Sequence, residues 1–109
     1  MSKHLHEKKC VPCEGGTKPM EKEGVQKYLT LISGWEVQGG IKIAKEFSFD
    51  DFEHALTFVN AVGRIAEEEG HHPDILLFDY KHTRITLSTH AIGGLSMNDF
   101  ILASKIDRI

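Results

Sequence analysis

Phe52, Ala55, Leu56, Val59, Val62, Gly63 and Ala66 recur at steps of three and four residues. Only an α-helix turns that period into one continuous face. Asp51 and Glu53 suit the positive N-terminal end of such a helix, and Ser48 or Asp50 can cap it. The stripe runs into a polar last turn, Glu67-Glu68-Glu69, with Gly70 as terminator. A helix with one apolar stripe must bury it, and the flanking segments supply the surface. On one side, Trp35-Glu36-Val37-Gln38 and residues 41–49 alternate apolar with polar around a Gly39-Gly40 hairpin signal. On the other, residues 75–80 and 84–90 read as a second strand pair, with Lys81-His82-Thr83 as the turn. An amphipathic helix over 21–32 precedes these elements, and a capping box from Ser96 to Asp99 opens a last helix from about 97 to 106. The order predicts an α+β fold, a four-stranded antiparallel sheet with three helices packed on one face. One helix layer leaves the other sheet face, or an edge strand, open to a ligand or a second subunit.

With 109 residues the chain can bury a single core. Residues 20–109 are expected to form that domain. Residues 1–19, rich in breakers and carrying Cys10-x-x-Cys13, are expected to be a flexible arm. A net charge of -3 gives no footprint for nucleic acid. No apolar stretch has the length of a bilayer span, and residues 1–9 lack the apolar region of a secretory signal. Two cysteines do not make a disulfide framework, so a cytoplasmic location is expected. A small domain with an open face also suggests self-association.

The chemistry concentrates after the central helix. Glu67 lies four residues before the adjacent imidazoles of His71 and His72, and Pro73 and Asp74 follow. His90 ends the next strand pair, and Asp99 sits in the final capping box. Histidine has the unperturbed pKa nearest neutrality, so such a cluster suits proton transfer in either direction.

The blocks Glu69-Gly70-His71-His72-Pro73-Asp74, Ile85-Thr86-Leu87-Ser88-Thr89-His90 and Gly94-Leu95-Ser96 with Asp99 resemble those of the pterin-4a-carbinolamine dehydratases. Gly34-Trp35 and the central helix add to the resemblance, which covers roughly residues 20–109. It implies removal of water from a 4a-hydroxytetrahydropterin to give a quinonoid dihydropterin, a step in tetrahydrobiopterin recycling. It further implies no metal, no organic cofactor, and assembly as a homodimer or homotetramer. His71, His72 and His90 become the expected catalytic set, with His72 first for direct proton transfer. Glu67 and Asp99 are expected to orient a histidine, Ser88 and Thr89 to meet the polar edge of the pterin, and Asp74 to touch its rim. Some members carry a tryptophan shortly after the proline. Ile75 stands there in this chain, which puts that stacking contact in doubt.

Other readings compete. Three histidines with Glu67 could ligate zinc, although adjacent residues on an extended backbone do not readily aim at one ion. Cys10 and Cys13 with His4 and His6 could form an N/S set, or the cysteines a redox dithiol. The rival of a different class is a non-catalytic binding or assembly protein, or a transcriptional co-regulator, on the same fold. A pure scaffold has no need of three imidazoles at these spacings.

Overall fold

The computed structural model describes residues 5–11 and 18–109. Its elements are α1 (Lys22–Leu29), β1 (Glu36–Gln38), β2 (Lys42–Ser48), α2 (Phe52–Glu69), β3 (Asp74–Phe78), β4 (His82–Leu87) and α3 (Met97–Ile106). Short 3-10 turns occupy Leu5–Glu7 and His90–Ile92. The strand order is β1-β2-β4-β3, every neighbouring pair antiparallel. This is the α+β arrangement of three helices and a four-stranded sheet that the periodicities predict.

The sheet follows its alternation. Gly39 and Gly40 have φ of +61° and +72°, the left-handed pair that suits a tight hairpin between β1 and β2. Ile43 pairs across from Leu87 and both are fully buried, as is Ile85. The intervening positions face the open side, where Glu46 and Arg84 stand directly opposite one another as an exposed ion pair.

Three expectations shift. The α2 cap is Asp51, whose side chain accepts from the His54 N–H at 2.8 Å, one residue beyond Asp50. Burial on α2 centres on Ala55, Phe58, Val62 and Ala66, while Phe52 and Leu56 stay 48% and 40% exposed. Phe58 decides that rotation by packing between Phe47 and Phe49, at ring distances of 4.6 and 5.0 Å. The β3–β4 turn falls at Asp79 and Tyr80, with φ of 48° and 53°, so β4 starts at His82 instead of Arg84. That register places the Thr83 side chain inside and sets Ile75 opposite Ile85.

Residues 5–11, expected as part of a flexible arm, lie against the body. Leu5 is buried in the core, and Cys10 and Val11 are hydrogen-bonded to Glu69 and Asn98. A lone leucine in a polar segment has no periodicity to reveal it. His4 and Cys13 of the suggested N/S set lie outside the described residues. Among the described residues, no helix is long and apolar enough to cross a membrane.

Candidate active site

Gly70 ends α2 in the left-handed conformation, φ 67°, and turns the chain so that His71 and His72 lie in the connection to β3. His71 turns inward, its side chain 12% exposed, whereas His72 is 61% exposed.

The inward ring meets the start of α3. His71 Nε2–H donates to Asp99 Oδ1 at 2.6 Å, and Asp99 has no exposed surface. The other oxygen, Oδ2, accepts from Thr89 Oγ1–H at 2.8 Å and from the Ser96 N–H at 3.0 Å. Ser96 caps α3, and the Asp99 bond back to its N–H completes the capping box that the sequence predicts. A carboxylate only accepts, so Thr89 must direct its hydroxyl proton to Asp99, and Ser96 Oγ must then donate to Thr89 across their 2.8 Å contact. Every bond in this chain therefore has a defined direction. It also assigns the His71 tautomer: with Nε2 carrying the proton, Nδ1 is the acceptor nitrogen of the neutral ring.

His72 Nε2–H donates to Glu67 Oε1 at 2.6 Å on the last turn of α2, with both side chains mostly exposed. His90 opens the second 3-10 turn, where Gly93 closes a short loop pinned by the Thr89 N–H to the Gly94 carbonyl at 2.8 Å. Gly94 matters for a second reason: a Cβ there would stand 2.7 Å from the Pro19 Cβ, so only glycine admits residues 18–20 alongside.

His71, His72, Ser88, Thr89 and His90 line one cleft of about 350 Å³, with Gly70, Ala91, Val11 and Asn98 completing it. Ser88 donates its hydroxyl proton to the Ile41 carbonyl at 3.0 Å, which leaves its oxygen as an acceptor. The Thr89 hydroxyl is engaged with Asp99. Glu67 and Asp99 stand behind the histidines that they contact. Asp74 opens β3 as an exposed residue and is not among the cleft-lining side chains. Tyr80 sits at the far end of the hairpin, 59% exposed and roughly 17 Å of strand away. Val11 and Asn98 had no sequence signal as cleft residues: one belongs to a segment without periodicity, and the other is an unremarked position inside the capping box.

Behind the cleft, Glu69 is pulled both ways. Burial favours its neutral form, but the Cys10 N–H and the Lys105 ammonium outweigh that and hold its carboxyl below the ordinary value. Burial, helped by the Glu69 charge, pushes the Cys10 thiol up to about 12. Among the described residues, no three His, Cys, Asp or Glu side chains come together as a metal ion would require.

Known proteins resemble this chain in both sequence and fold. The family described as pterin 4 alpha carbinolamine dehydratase matches residues 18–109. Relatives provisionally named pterin-4-alpha-carbinolamine dehydratase include one from Rubrobacter xylanophilus, 45% identical over 105 residues, covering 96% of this chain and 97% of the relative. Another, from Alkaliphilus metalliredigens, is 43% identical over 106 residues, covering 96% and 95%. Among solved structures, a transcriptional coactivator/pterin dehydratase from Brucella melitensis superimposes with a TM-score of 0.77 at 28% identity, covering 84% of this chain and 97% of that one. A pterin dehydratase-like protein identified as a RuBisCO assembly factor in the alpha-carboxysome gives a TM-score of 0.59 at 26% identity, covering 69% and 87%.

Proposed function

The chain belongs to the pterin 4 alpha carbinolamine dehydratase family, and we propose that it removes water from a 4a-hydroxytetrahydropterin by histidine acid–base catalysis. The observation that carries this reading is the His71–Asp99 bond at the inner wall of a cleft that His72 and His90 also line. The reaction breaks the C4a–O bond and the N5–H bond, forms the C4a=N5 double bond of the quinonoid dihydropterin, and releases water. One group must take the N5 proton and another must deliver a proton to the departing oxygen.

His71 fits the first role. Its Nε2–H is tied to a buried carboxylate, so Nδ1 is left to accept a proton, and Asp99 then stabilises the imidazolium that results. His72 and His90 fit proton delivery, because both are exposed and can exchange with water between turnovers. Glu67 orients His72. Ser88 and the backbone of 88–90 offer polar contacts for the pterin edge, and Asp74 a contact at the rim.

The same reading places the protein in tetrahydrobiopterin recycling in the cytoplasm, as a homodimer or homotetramer. Support for self-association comes from the exposed apolar side chains of Phe52 and Leu56 on α2 and Leu76 on the edge strand β3. Stopped-flow dehydration of a synthetic 6-methyl-4a-hydroxytetrahydropterin tests the activity. The wild-type protein should accelerate the reaction and His71→Ala or His72→Ala should not. A wild-type rate equal to buffer sinks the dehydratase reading and leaves the binding or assembly role.

A further inference from the structure

The polypeptide before the family domain reaches the cleft itself. The Cys10 N–H donates to Glu69 Oε1 at 2.8 Å, and the Val11 N–H donates to Asn98 Oδ1 at 2.9 Å. Asn98 Nδ2 returns a bond to the Val11 carbonyl, so the side-chain amide grips the backbone of one residue from both sides. Neither anchor is a loose surface contact. The Glu69 side chain is 8% exposed, with its second oxygen 3.2 Å from Lys105 Nζ, and Asn98 is 5% exposed.

The positions of the anchors matter as much as their burial. Glu69 immediately precedes Gly70-His71-His72, and Asn98 immediately precedes Asp99. The segment thus ties the end of α2 to the start of α3, the two ends that carry the His71–Asp99 pair. Held this way, Val11 lines the same cleft as His71, His72 and His90, yet remains 64% exposed. An apolar side chain fixed at the mouth of a cleft of imidazoles and hydroxyls suits a flat heteroaromatic ring, which is polar at its edges and apolar on its faces.

We propose that residues 8–11 form a strap that serves as a wall of the active site, with Val11 contacting the bound pterin and Asn98 and Glu69 as positioning residues. The identity of the ligand rests on the function proposed above; the placement of the strap does not. Val11 sets how firmly the ring is held, and Asn98 sets where Val11 stands.

Two measurements test this. In steady-state dehydration, Val11→Ala should raise KM by about 3- to 10-fold with kcat within about twofold, because the lost contact is made equally in ground and transition states. Asn98→Ala should show the same KM-weighted pattern, and Val11→Trp should crowd the cleft and raise KM by about tenfold or more. The second measurement needs no substrate. Carbethoxylation of His71 by diethyl pyrocarbonate, read by peptide mass spectrometry, should be several-fold faster in Asn98→Ala than in wild type, with exposed His54 as internal reference. Unchanged KM in both Val11 variants overturns the wall, and an unchanged His71 rate overturns the strap. Should the wild-type protein show no turnover, the proposed function falls and the carbethoxylation rates alone decide on the strap.

Discussion

Replacing Asp99 by asparagine tests how His71 is held, because it keeps the shape of the side chain and changes only its hydrogen-bonding sense. Two donors, the Thr89 hydroxyl and the Ser96 N–H, converge on Oδ2 at 2.8 and 3.0 Å. The amide oxygen of the variant must settle there, which turns the amide NH₂ toward His71 Nε2, a contact of 2.6 Å in the native protein. Two N–H groups cannot share that contact. The imidazole relieves the clash by moving its proton to Nδ1 and accepting with Nε2. The nitrogen that the proposed mechanism uses as a base is then already protonated.

The two readouts should therefore separate. Folding stability falls by only about 2 kcal/mol, as two bonds to a carboxylate become bonds to a neutral oxygen. That corresponds to a Tm lower by about 10 °C. Turnover falls by about 10²- to 10⁴-fold, the usual value of a positioned proton-transfer group. Asp99→Ala provides the contrast, because it takes the acceptor from the Thr89 hydroxyl proton and from His71 Nε2–H and removes half of the capping box, at roughly 3–5 kcal/mol. Urea denaturation and stopped-flow dehydration measure both effects, and ¹⁵N spectra of the His71 ring report the tautomer directly. A kcat for Asp99→Asn within threefold of wild type, or a native His71 carrying its proton on Nδ1, refutes the reasoning.

The Thr83 side chain is fully buried and, among the described residues, its Oγ1 makes no hydrogen bond. Thr83→Val should thus raise stability by about 1 kcal/mol, read as a higher urea midpoint at unchanged slope. Gly70→Ala adds a Cβ that meets nothing within 4 Å, so its whole cost is the left-handed backbone, about 1–2 kcal/mol in thermal melts. Glu69 has its folded pKa below the unfolded value, first against burial and then through Cys10 and Lys105. Its contribution to stability is present above the unfolded pKa, near 4.5, and is lost as pH falls through the folded value. The urea midpoint of wild type should drop more steeply below that pH than the midpoint of Glu69→Gln.

Where local chemistry decides, the fold is legible in the sequence. Gly39-Gly40, Gly70 and the Ser96–Asp99 box each specify a backbone geometry by themselves, and the structure has all three. Legibility stops where a partner decides. The apolar arc of α2 is broad enough to bury either Phe52 or Phe58, and the gap between Phe47 and Phe49 selects Phe58. The β3–β4 turn carries no glycine, and aspartate and tyrosine take up left-handed backbone because the register of Ile75 against Ile85 requires it. Leu5 shows the same limit, since a single apolar residue among polar ones has no pattern until α3 covers it.

In the site the division falls between two adjacent residues. The sequence presents His71 and His72 as equivalent, and the family resemblance favours His72 for direct proton transfer. The structure makes them opposites: one ring turns in to a carboxylate without exposed surface, and the other turns out to Glu67 and water. A buried ring with a fixed tautomer is suited to take a proton at a defined atom, and an exposed one to exchange protons with solvent. Their difference comes from Asp99, held 28 residues away in sequence by a helix cap and a threonine. The capping box that starts α3 therefore also sets the protonation geometry of the cleft, so a substitution that weakens the cap should alter catalysis as well as stability.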